Sequence, residues 1–159
     1  MYKVFTVNGE DYKLEFAIEA SLYKECIQSI TELIYRIDAG QNTRDIEQVL
    51  AGISDIPTTA VNCFYAGLLE HHGVEVGDGK VPNLRAAKEV ARALIKDKES
   101  GIDNFYDLMS MCVEQMGEDG FFDLIGLSSL VTTNSEQKRG RKKKATTTPK
   151  PIPTDPSET

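Results

Sequence analysis

Tyr2-Lys-Val-Phe-Thr-Val-Asn8-Gly9-Glu-Asp-Tyr-Lys-Leu-Glu-Phe16 is the stretch on which the reading of the fold turns. Two β-prone runs, Tyr2 to Val7 and Glu10 to Phe16, flank Asn8-Gly9, a dipeptide that accepts the positive φ angles of a type I′ turn. With Asn8 and Gly9 as the two loop residues, Phe5 falls opposite Tyr12 and Met1 opposite Phe16, so these four share a face with Val7 and Leu14. A lone two-stranded ribbon is marginal in water, so this face is expected either to pack on helices or to pair with another chain.

From Ala17 onward the apolar period changes from two to 3.6. Leu22, Tyr23, Cys26, Ile27, Ile30, Leu33, Ile34 and Ile37 predict a first helix from about Ile18 to Ala39, stopped at Gly40. Asn42 or Thr43 is expected to cap a short second helix that carries Ile46, Val49, Leu50 and Ile53 and ends near Ser54. Pro57 then opens a third, with the stripe Val61, Phe64, Tyr65, Leu68 and Leu69, ending at Gly73. Val74 to Pro82 reads as a flexible connector. Asn83 caps a fourth helix (Leu84, Ala87, Val90, Ala91, Leu94, Ile95), and Asp103 or Asn104 a fifth (Phe105, Leu108, Met109, Cys112, Val113, Met116), stopped at Gly117. Gly120 to Leu127 adds a last short apolar helix. The fold class is therefore mainly α: an N-terminal β-hairpin, then a bundle of five to six short amphipathic helices in residues 1–130, with a disordered, basic, Thr/Pro-rich tail in residues 131–159.

Charge divides the 159 residues in the same way. Residues 1–130 hold 11 Lys/Arg against 22 Asp/Glu, a net −11, and residues 131–159 hold 7 against 3, a net +4, which together give −7. The tail's basic cluster is Lys138, Arg139, Arg141, Lys142, Lys143 and Lys144, which can neutralise phosphates, meet the acidic body of another copy, or stay solvated. No run approaches the roughly 18 apolar residues of a membrane span, and the turn at Asn8-Gly9 interrupts any signal-peptide core. Cys26, Cys63 and Cys112 are odd in number, far apart and set in apolar stripes, which suits buried thiols in a reducing compartment.

Chemistry is sparse. His71 and His72 are adjacent and point about 100° apart on a helix, unlike the i, i+4 spacing of a shared metal site, so they read as charge complements to a helix C-terminus. Gly77-Asp-Gly-Lys80 lacks the spacing of a phosphate loop and reads as a turn. Asp45/Glu47 and Glu118/Asp119 read as acidic pairs at helix starts. No nucleophile, base and orienting group can be nominated, so catalytic, cofactor and metal residues are all assigned as none.

The whole body carries a resemblance. The hairpin Val7-Asn-Gly-Glu-Asp-Tyr-Lys-Leu-Glu-Phe16, a long helix ending at Ala39-Gly40, a short helix, and Ile56-Pro57 leading into Phe64-Tyr-Ala-Gly-Leu-Leu-Glu-His-His-Gly73 resemble the tail assembly chaperones of long-tailed phages and prophages of Gram-positive bacteria. Residues 1 to about 125 are covered. The resemblance implies a helical, non-enzymatic protein of the host bacterial cytoplasm, absent from the mature virion. It would coat the tape-measure protein and bring tail-tube subunits to it. Self-association is expected on other grounds, because short amphipathic helices and a two-stranded ribbon leave apolar stripe for neighbours to cover. Phe5, Tyr12, Leu14 and Phe16 are the expected partner-binding residues, because their ribbon face needs a cover. That family also makes a longer product by ribosomal frameshifting, which would carry the tail-tube contact. Lys142 to Lys144 fit a slippery message, since Lys codons are only AAA or AAG. The alternative function is a phage or mobile-element accessory protein that binds nucleic acid through its tail, although the −11 body would repel a polyanion.

Overall fold

The computed structural model describes residues 1–43 and 46–128, except the side chains of residues 37, 39–43, 48 and 49. The compact unit is Met1–Ile125. The expected boundary at 130/131, the place of Asp45 at a helix start, the inward side chains of Ile37 and Val49, and the whole basic cluster lie outside the described residues.

Strands β1 (Lys3–Val7) and β2 (Glu10–Leu14) pair antiparallel, with Phe5 opposite Tyr12 and Lys3 opposite Leu14. Asn8 (φ 52°) and Gly9 (φ 80°) make the expected turn. Val7, Leu14 and Phe16 are buried, and Phe5 stacks on Tyr12 at 5.7 Å between ring centroids. On the other face Thr6 Oγ1 donates to Asp11 at 2.7 Å, a cross-strand pair facing water. Met1 does not join the apolar face; pairing ends at Lys3, so the alternation is not carried to it, and it is exposed.

Helix α1 (Ile18–Leu22) and helix α2 (Lys24–Thr43) replace the single first helix. Tyr23 between them is extended, and its ring meets Tyr65 edge-on at 5.2 Å, so tertiary packing takes the residue that would have continued the helix. The stripe is accordingly split: Cys26, Ile30 and Leu33 are buried, whereas Leu22 and Ile34 are exposed. Gly40 does not stop α2, because glycine permits the left-handed conformation without compelling it.

Helix α3 (Ile46–His72) fuses the expected second and third helices, with Pro57 in its interior. Proline removes one helical N–H and crowds the preceding turn, a cost of about 3 kcal/mol. Packing of α3 along α2 offsets that cost, with smaller polar ties on either side of the proline: Arg36 pairs with Asp55 at 2.6 Å, and Asn62 donates to Ser29 Oγ at 2.9 Å. About 40 Å long at 1.5 Å per residue, α3 is the spine, touching α1, α2 and β2 as well as α4 (Leu84–Lys96) and α5 (Phe105–Glu118). Gly67 lets the ribbon approach: a Cβ there would lie 2.5 Å from Leu14 Cδ1, and the Gly67 carbonyl accepts from the Glu15 N–H at 2.9 Å.

Asn83 and Asn104 cap α4 and α5, their side chains accepting from the amides of Ala86 at 3.0 Å and Asp107 at 2.9 Å. Helix α5 continues through Gly117, and Gly120 (φ 68°) precedes the short α6 (Phe121–Leu124). Phe64, Leu68, Leu94, Leu108, Met116 and Phe121 fill the core. The three cysteines are buried free thiols, Cys26 and Cys63 touching at 3.6 Å between sulfurs. That thiol contact and burial push Cys63 above its ordinary pKa, and burial does the same to Cys112. Among the described residues no helix is long and apolar enough to cross a membrane.

Candidate functional site

The apolar face of the hairpin is covered by the chain itself. Phe5 packs on Phe64 at 5.6 Å, Tyr12 meets His72 edge-on at 5.3 Å, and Phe16 lies 5.5 Å from Phe121. Leu14 and Phe16 are buried and Phe5 and Tyr12 half-buried, so this face is a core element and not a free docking surface. Of the two alternatives open to the ribbon, packing on helices is the one realised.

The polar residues singled out in sequence are also structural, in a way their local context did not show. His72 is buried; its Nε2 accepts from the Lys13 N–H at 2.8 Å, so the ring hydrogen sits on Nδ1, 3.1 Å from the Asp78 carboxylate. His71 Nε2 lies 2.6 Å from Glu15. The two rings sit in the last turn of α3, as expected, and from there tie the helix to ribbon and loop. The Val74–Pro82 connector is pinned: the amides of Asp78, Gly79 and Val81 donate to the carbonyls of His71, Gly73 and His72, and Val81 is fully buried. Burial opposes ionisation of Asp78, but the Lys80 amide, the His72 ring and the Lys80 charge outweigh it and hold the carboxyl below its ordinary value. Asp119 does not start a helix: it closes α5, and its nearly buried carboxylate accepts from the Phe16 N–H at 2.8 Å and Gln115 Nε2 at 2.9 Å. Among the described residues no group of three or more His, Cys, Asp or Glu is arranged to hold a metal ion.

What remains open is an apolar track on α3. Ile46, Leu50, Ile53, Pro57 and Val61 follow i, i+4, i+7, i+11 and i+15, one face of the helix over about 22 Å, exposed from Ile46 to Pro57 and buried at Val61. Ile46, Leu50 and Ile53 are more than half exposed, as are Ile34 and Tyr35 on α2. At its Pro57–Val61 end the track runs into a groove of about 430 Å³ between α3, α4 and the start of α5. Leu84, Ile95 and Phe105 complete its apolar floor.

The rim of this groove is cationic. Lys88, Arg92 and Lys96 line it at i, i+4 and i+8 of α4, and no carboxylate does. Arg92 bonds Glu89 at 3.0 Å, an exposed pair of the kind worth little. Among the described residues no carboxylate pairs with Lys88 or Lys96. Six of the body's 11 cations (Lys80, Arg85, Lys88, Arg92, Lys96, Lys98) lie within residues 80–98, against only Glu89 and Asp97, a local +4 in a body of −11. The apolar period places Leu84 and Ile95 on an inward face and is silent on the rail beside them. Its signal was there in the four-residue spacing of Lys88, Arg92 and Lys96. Compared with family models, curated proteins and solved structures, the chain matches none.

Proposed function

We propose that this chain is a non-enzymatic tail assembly chaperone: it holds a long helical segment of the tape-measure protein and helps bring tail-tube subunits to it. The observation that supports this reading best is the track Ile46–Leu50–Ile53–Pro57, an apolar stripe left uncovered on the longest helix and continued at Val61 by a groove. A contiguous exposed stripe of this kind marks an interaction surface, and a helix laid against it would bury apolar side chains at its own i, i+3, i+4 and i+7 positions. Weak contacts of this sort suffice when many small subunits line one long chain, because multivalency multiplies them. The tail-tube contact would fall to a longer, frameshifted form, and self-association would pack neighbours along the coated helix.

The test is co-expression of the full chain with the tape-measure protein of its phage. The tape-measure protein is expected to stay soluble and to co-purify with this chain. The triple variant Ile46→Asp/Leu50→Asp/Ile53→Asp, all exposed positions, is expected to fold and to leave its partner insoluble. A wild-type chain that neither solubilises nor co-purifies the tape-measure protein overturns the assignment.

A further inference from the structure

We infer that the groove between α3 and α4 selects an acidic amphipathic α-helix, reading carboxylates along one flank of it through Lys88, Arg92 and Lys96. The inference rests on the α3 track and groove being a helix-docking surface, and not on which protein carries the helix.

Three observations point to this occupant. The first is spacing. Residues four apart on α4 repeat about every 6 Å along its axis, at 1.5 Å per residue. A second helix running along α4 presents Asp or Glu at its own i, i+4 and i+8 with the same repeat, so three carboxylates reach three cations together while the apolar stripe beside them lies on Val61, Leu84 and Phe105. The second is backbone chemistry. The groove walls are three helices and no strand, so there is no strand edge to complement an extended peptide; a helix, which satisfies its own backbone, is the form that can bury here. The third is charge. Outside residues 80–98 the body holds 5 Lys/Arg against 20 Asp/Glu. Most of the surface therefore repels an acidic segment, and the α4 rail is where it is attracted, which fixes location and register more than it adds raw affinity. The chain's own tail is a poor occupant, since its cluster Lys138 to Lys144 bears the same sign as the rail.

A polyanion such as a nucleic acid would also meet the rail, but it has no use for the apolar floor. A second copy of this chain is the other competitor.

The experiment uses the full chain and two labelled synthetic peptides of about 20 residues, roughly 30 Å as helices. Both carry one Leu/Ile stripe. One has Glu at i, i+4 and i+8 beside the stripe, and the other has Lys at those positions. Fluorescence anisotropy is expected to show the Glu peptide binding at least about tenfold tighter than the Lys peptide, with the advantage shrinking as salt is raised. Lys88→Glu/Arg92→Glu/Lys96→Glu is expected to invert the preference, and Phe105→Ala to weaken both peptides without changing their order. The three rail residues are exposed, and a thermal melt checks that the reversal variant is folded. If both peptides bind equally, helix docking stands and the charge inference falls. If neither binds, the docking surface itself is refuted. A single-stranded oligonucleotide that binds as well as the Glu peptide and is indifferent to Phe105→Ala would assign the rail to phosphates. Loss of self-association in the reversal variant would give the groove to a second copy. Either result overturns the inference.

Discussion

Replacing Gly67 by Ala puts a methyl group where the ribbon crosses α3. The new Cβ would sit 2.5 Å from Leu14 Cδ1 and 2.9 Å from Phe16 Cζ, about 1 Å inside the 3.5–4.0 Å at which carbons rest. Neither neighbour can retreat into solvent, because Leu14 is 0% and Phe16 1% exposed. Overpacking of this kind costs about 1–3 kcal/mol. Pushing the ribbon off also strains the Glu15 N–H to Gly67 O=C bond of 2.9 Å, worth about 1 kcal/mol. Alanine returns about 1 kcal/mol through its better helix propensity. The balance is a loss of about 1–3 kcal/mol, or roughly 4–12 °C in Tm for a domain of this size. Gly117, inside α5 with nothing within 4 Å of a Cβ, receives only the propensity term, so Gly117→Ala is expected to stabilise by about 0.5–1 kcal/mol. Chemical denaturation of both variants supplies the comparison. Leu14→Ala alone should cost about 2–5 kcal/mol, but added to Gly67→Ala it removes the tighter of the two clashes and opens space into which Phe16 can shift, so the double variant should be at least about 1 kcal/mol more stable than additivity predicts. A Gly67→Ala protein as stable as wild type, or strict additivity in the double variant, would refute the reasoning.

His72→Ala should destabilise by about 2–3 kcal/mol, because it orphans the Lys13 N–H and leaves a gap at a buried site. Hydrogen exchange should quicken together in the ribbon and in residues 73–82, and an effect confined to the end of α3 would argue against the cross-brace. For Tyr23, burial first and Glu25 and Tyr65 next push the phenol from 10.0 up to about 12. The fold thus favours the neutral phenol, and the stability this contributes is intact below pH 10 and lost as pH rises toward about 12. Tyr23→Phe should remove a late-ionising phenol from an absorbance titration and lessen the alkaline fall in Tm; an unchanged fall would count against this origin for it.

Local sequence determined the parts of this protein whose causes are local. Asn8-Gly9 fixed the ribbon's turn and register because few dipeptides tolerate two positive φ angles in succession. Asn83 and Asn104 fixed the starts of α4 and α5 because each side chain satisfies an amide three residues on. The burial of all three cysteines followed from the apolar stripes that contain them. Tertiary structure decided everything that turned on a distant partner. Pro57 and Gly40 signal helix ends locally, yet the packing of α2 against α3 carries helix through both. Tyr23 continues an apolar period, yet Tyr65 draws it out of the helix. His71, His72 and Asp119 were legible as charges at helix ends, but their partners Glu15, Lys13, Asp78 and Phe16 lie in other elements. The candidate surface divides in the same way. The four-residue spacing of Lys88, Arg92 and Lys96 is in the sequence, and the choice of surface is not: Phe5, Tyr12, Leu14 and Phe16 looked available until α3 covered them. Periodicity tells which side chains are apolar, and only the tertiary arrangement tells which of those stripes the chain has enough of its own surface to cover.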